Sequence, residues 1–128
     1  MKKEITLFCG ALFGGLAVAI GAFGSHALKA FLIEAGRVDT FELAVRYEFY
    51  HALALIATGL AMHHVTSRLA HYSALCFLLG ILFFSGSLYV LCFTGINTWG
   101  AVTPIGGLFF LAGWLLLALA FVKMKKAS

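Results

Sequence analysis

Charged side chains are what this chain has least of. Asp, Glu, Lys and Arg together make up 11% of its 128 residues, where a soluble domain carries about 25%. With 62% hydrophobic residues, a water-soluble fold of this size has too little interior to hide its apolar surface. The same scarcity excludes a basic stripe dense enough for nucleic acid, so no nucleic-acid partner is expected. The net charge of +4 reads instead as membrane topology and contact with lipid headgroups. The three cysteines, Cys9, Cys76 and Cys92, sit in apolar surroundings at spacings that match no metal or redox motif, and they read as small apolar side chains. No Gly-x-Ser-x-Gly turn surrounds Ser85 or Ser87, which removes the serine-hydrolase elbow. Carboxylates are few: Glu4, Glu34, Asp39, Glu42 and Glu48. Glu48 and His51 form one Glu-x-x-His pair, but a di-metal carboxylate site takes two such pairs and two further acids, which only a dimer would supply. No catalytic residue, metal ligand or cofactor is therefore expected.

What the chain has in place of charge is four long apolar runs, at about 5–24, 49–65, 72–93 and 104–122. Each is near the roughly 17–25 residues that cross a hydrocarbon core of about 30 Å as a helix. In lipid only helices and closed barrels satisfy their own backbone. The expected fold is an all-α membrane protein: a four-helix transmembrane bundle, with a short interfacial helix between helices 1 and 2, in a single domain over 1–128. The first run, though preceded by Lys2 and Lys3, is too long and too evenly seeded with small residues for a cleaved signal peptide. It reads as a retained span. Four spans place Lys2, Lys3, Arg68, Lys123, Lys125 and Lys126 on one side and Lys29, Arg37 and Arg46 on the other. The positive-inside rule then puts both termini in the cytoplasm.

Small residues punctuate the runs. Gly10 and Gly14 lie four apart, as do Ala11, Gly15 and Ala19, and Gly106 and Gly113 share a face. Such faces let a second backbone come close, which is what holds helices together in lipid. The partner is either the chain's own next helix or a second copy; a homo-oligomer built on Gly10, Gly14, Gly106 and Gly113 is the second of these. The amphipathic stretch is 25–48. There Ser25 is expected to cap a short helix ending at Gly36, a residue suited to a left-handed stop. Asp39 and Glu42 have capping-box spacing for the next helix, from about Thr40, and Glu42 and Arg46 are placed as an i,i+4 pair. Thr103-Pro104 reads as a helix start, and Lys123, Lys125 and Lys126 as a stop that snorkels to the surface.

Polarity gathers at the outer ends of the runs: His26, Arg46, Tyr47, Glu48, His51, Ser85, Ser87, Tyr89 and Thr103. Glu48 and His51, three apart on a helix, are expected to hold each other's charge state. His26, Ser87 and Tyr89 would complete a hydrogen-bonded plug, with the Ser85 and Ser87 hydroxyls bonding back to their own helix. His63, His64 and His71 flank the opposite turn. Adjacent histidines diverge by about 100° on a helix, so these read as interfacial polar residues and not as a zinc site.

Four segments carry a family resemblance: 21–28 (GAFGSHAL), 47–55 (YEFYHALAL), 84–89 (FSGSLY) and 103–107 (TPIGG). Together and in this order they resemble the YgdD-like family of small bacterial inner-membrane proteins, a domain of unknown function with a related animal transmembrane protein. The resemblance spans nearly the whole chain. It implies a four-helix integral membrane protein in the bacterial inner membrane and supplies no reaction or catalytic residue. Its motifs fall on His26, Tyr47, Glu48, His51, Ser85, Ser87, Tyr89 and Thr103, and the His63-His64 pair lies outside them. The leading expectation is a multi-pass protein that stabilises or organises the membrane through lipid or protein contacts, with the balance against an enzyme. A small oligomeric transporter or channel subunit is the alternative, and a membrane metalloenzyme the third.

Overall fold

The computed structural model describes residues 1–124. Lys125 and Lys126, counted above for orientation and for the stop signal, lie outside the described residues. All regular structure among the described residues is helical. Helix α1 (Lys3–Ser25) is followed by a short α2 (Lys29–Ala35) and a long α3 (Val38–Ala61). Then come α4 (Arg68–Gly80), a π-turn (Ile81–Ser85) and α5 (Gly86–Thr94), which form one unbroken rod. A 3-10 turn (Asn97–Ala101) leads into α6 (Thr103–Val122).

Among the described residues three helical stretches are long and apolar enough to cross a membrane: Lys3–Ser25, Arg68–Thr94 and Asn97–Val122. Helix α3 is not one of them, because its first half carries Asp39, Glu42, Arg46 and Glu48.

Several local expectations shift. Ser25 does not cap α2; it is the last residue of α1, and Leu28 precedes α2. Asp39 and Glu42 form no capping box, since α3 begins at Val38 behind Arg37, with no side-chain cap. Gly36 does end α2 in the left-handed region, at φ 67°. The second apolar run reaches 65, but α3 stops at Ala61 and a turn follows. Thr103 opens α6 with Pro104 behind it. Its hydroxyl turns sideways to Ser87, 2.7 Å away, instead of capping.

Packing pairs α1 with α3 and α4 with α6 most extensively. The core centres on Leu55, Phe77, Ile81, Phe110 and Leu117. Small residues are the sockets for these contacts. A Cβ on Gly10 would lie 2.9 Å from the Ala52 carbonyl of α3; on Gly113 it would lie 2.7 Å from the Phe77 ring. Gly14 faces Ala52, and Gly106 meets the backbone of Phe84. All four glycine positions offered for self-association are thus used inside the chain. The outer surface is apolar, with Phe8, Val18, Leu108, Leu111 and Leu115 each more than half exposed.

Candidate functional site

Helix α3 brings Tyr47, Glu48 and His51 onto the face that meets α4, the π-turn and α6, because three- and four-residue steps share one side of a helix. Glu48 and His51 are 3% and 6% exposed, yet they do not bond each other. The Tyr89 hydroxyl of α5 donates to Glu48 Oε2 at 2.7 Å. That tyrosine comes from 41 positions along the chain, and it takes the role expected of His51.

His51 is held by two other groups. Its Nδ1 lies 2.8 Å from the Tyr47 carbonyl, and its Nε2 accepts from Trp114 Nε1 at 3.1 Å. These partners decide the tautomer. A carbonyl only accepts, so Nδ1 carries the hydrogen; an indole N–H only donates, so Nε2 is bare. The imidazole is therefore neutral, with both nitrogens occupied. Its ring stacks on Phe110, centroids 3.5 Å apart and planes 10° from parallel, and Phe77 and Trp114 close around it. A proton on Nε2 would break the Trp114 bond. ¹⁵N NMR of the imidazole in detergent is expected to show the neutral Nδ1–H form. Trp114→Phe keeps the ring packing but removes the donor, and should shift the Nε2 resonance alone. A charged imidazolium at neutral pH would contradict this arrangement.

The serines split. Ser85, 1% exposed, donates to the Ala44 carbonyl of α3 at 2.7 Å and so bridges helices instead of bonding back to its own. Ser87 does bond back, to the Phe84 carbonyl at 2.9 Å. Having spent its one hydrogen there, Ser87 Oγ accepts from Thr103. Both serines adjoin the π-turn, which Gly86 N–H closes onto the Ile81 carbonyl. One extra residue in that turn rotates the rest of the rod by about 100° relative to a continuous α-helix. Phe84 within it stacks on Tyr47 at 4.7 Å.

Two expected members stand apart. His26 follows α1 with an exposed side chain, so it is not part of a plug with Ser87 and Tyr89. Arg46 is exposed on a different face of α3. The expected members that do converge are Tyr47, Glu48, His51, Ser85, Ser87, Tyr89 and Thr103. Trp114 and the Phe84–Phe110 pair were not anticipated. The signal for Trp114 was its place near the middle of the last run, far from the headgroup level that tryptophan favours; an indole N–H at that depth, with no water to bond, needs an acceptor from a neighbouring helix.

At the other end, His71 Nδ1 pairs with the Met1 carbonyl, while His63 and His64 are exposed. Among the described residues no three His, Cys, Asp or Glu converge as a metal cluster. The cysteines are unpaired, with Cys92 buried. The converged site is internally bonded: among the described residues no buried side-chain nitrogen or oxygen lacks a partner, and a groove of about 620 Å³ lined by Tyr47, His51 and Trp114 opens beside it.

A family model described as "Protein of unknown function (DUF423)" matches residues 20–107. A UPF0382 membrane protein of Staphylococcus haemolyticus is 42% identical over 94% of this chain and 97% of its own length. A UPF0382 membrane protein of Staphylococcus saprophyticus is 40% identical, with coverages of 94% and 99%. The UPF0382 inner membrane protein YgdD of Escherichia coli K12 is 35% identical, with coverages of 98% and 95%. The YgdD-like resemblance is thereby borne out. No solved structure matches the chain.

Proposed function

The chain belongs to the DUF423 family, and from that premise we propose that it is a four-span protein of the bacterial inner membrane that stabilises or organises the bilayer through lipid or protein contacts, without catalysis. Its relatives are membrane proteins of unknown function, one of them assigned to the inner membrane. The observation that carries the reading is that the buried polar atoms among the described residues are all partnered, under a largely apolar surface. Glu48, His51, Ser85 and Ser87 each make one side-chain bond to a neighbouring helix. Such bonds fix a bundle in lipid, where burying leucine against leucine gains little. They leave no free base beside a free nucleophile.

Helix α3 supplies the fourth crossing in this reading. Its 24 residues extend about 36 Å at 1.5 Å per residue, and its most buried acid is satisfied by Tyr89. Helix α2 lies along the interface: Phe31 and Ile33 are exposed apolar groups on the same short helix as Lys29 and Glu34. Both termini are cytoplasmic. Alkaline carbonate is expected to leave the protein in the membrane pellet. Reporters placed after Thr66 and at the C-terminus should report cytoplasm, and one at Asn97 should report the periplasm. Release by carbonate would overturn the integral reading; a C-terminal reporter in the periplasm would overturn the four-span topology.

A further inference from the structure

A groove of about 460 Å³ opens where the end of α1, α2 and the first half of α3 meet. Its floor is apolar, formed by Leu32, Val38, Phe41 and Val45. Its polar lining is Ser25, Lys29, Glu42 and Arg46. A second groove of about 280 Å³ runs along α1 and α3 past Ala17, Val18 and Phe49. Gly21, Val45 and Arg46 line both. The two grooves thus adjoin along one depression of the surface, with cations at the α2 end and an apolar lining along the helices.

That shape has the polarity of a phospholipid: a charged head on a long hydrocarbon tail. We infer that the depression binds one anionic glycerophospholipid, its phosphodiester between Lys29 and Arg46 and an acyl chain along the α1–α3 groove. The inference rests on the bilayer-spanning reading and gives its lipid contact a chemical class. Charge selects the class. Two cations and Glu42 leave the lining at +1, which a phosphodiester with a neutral headgroup balances. A zwitterionic headgroup would bring its own ammonium and leave that charge unmatched. Arg37, the third cation of this region, is engaged elsewhere: its guanidinium donates to Asn97 Oδ1 at 2.6 Å. Glu42, one helical turn before Arg46, offsets only one of the two cations. The arginine is suited to the role, because its planar fork matches phosphate oxygens. Arg46 also marks the join between head and tail, since it lines both compartments.

The test uses the full chain, delipidated in mild detergent and titrated with lipids under native mass spectrometry. Phosphatidylglycerol is expected to bind at one per chain, in preference to phosphatidylethanolamine and phosphatidylcholine. The soluble headgroup, glycerophosphoglycerol, should not bind at the same concentration. Lys29→Gln and Arg46→Gln should each weaken retention about tenfold, as loss of one charge-assisted contact does. Val18→Trp, which fills the tail groove from an exposed position without changing charge, should also weaken it. Arg68→Gln, at the start of α4 beyond the far end of α3, should change nothing. Equal retention of the three lipids, or unchanged binding by the Lys29 and Arg46 variants, would overturn the site. Binding of the soluble headgroup as tight as the lipid would make it a phosphate site instead. Carbonate release would mean that the bilayer reading itself had failed; carbonate resistance without lipid preference would mean that this site alone had.

Discussion

Gly106→Ala is expected to unfold or grossly destabilise the bundle, although it adds a single methyl group. The new Cβ would overlap the backbone nitrogen of Phe84 and sit 2.7 Å from its Cα. A side chain in that position could rotate away, but a backbone cannot. The π-turn is already a departure from the α-helical hydrogen-bond pattern, and shifting Phe84 displaces the ring that stacks on Tyr47 at 4.7 Å. Tyr47 in turn supplies the carbonyl that holds His51 Nδ1. Overpacked cores lose about 1–3 kcal/mol, occasionally more, and this contact belongs at the top of that range. Gly107→Ala is the control, because nothing lies within 4 Å of its Cβ. Removing a helical glycine there should leave stability unchanged or raise it by up to about 1 kcal/mol. Melting in detergent, followed by size-exclusion fluorescence, separates the two. Equal melting of both variants would show that α6 does not approach the π-turn as closely as described.

The contrast between adjacent glycines marks how far the amino-acid sequence can be read. The existence of helices at the apolar runs was legible, since period and length suffice for that. Their ends were less so. The local cap signals of Ser25 and Asp39 were overridden: α1 continues through the first, and α3 starts behind Arg37 with no side-chain cap. The π-turn was not legible at all. Its i→i+5 bond lies where the rod packs on α3 and α6, and the residues Ile81–Ser85 carry no local signal that marks it. The polar residues were legible as a set but not as pairs. Sequence proximity suggested Glu48 with His51, whereas helix packing chose Tyr89, 41 positions away, and Trp114, 63 positions away. Which side of α6 faces His51 depends on where Gly106 and Gly113 let Phe84 and Phe77 enter.

Glu48→Ala is expected to lower stability by about 3 kcal/mol, from two sources. The buried side chain leaves a cavity, and the Tyr89 hydroxyl loses its acceptor in a place where water does not replace it. Glu48→Gln keeps an acceptor oxygen of nearly the same shape and should recover most of the loss. The decisive quantity is the coupling. Hydrogen bonds between membrane helices average about 0.6 kcal/mol and reach about 1.7 in double-mutant cycles. A cycle of Glu48→Ala with Tyr89→Phe should fall near the upper figure, because the carboxyl is 3% exposed. The same cycle with His51→Ala should be additive within about 0.5 kcal/mol, since His51 gives its two nitrogens to Tyr47 and Trp114. If the large coupling appeared with His51 and not with Tyr89, the two helix neighbours would be paired as an ion pair. If Gln proved as damaging as Ala, it would be the charge on Glu48, not its acceptor oxygen, that ties α3 to α5.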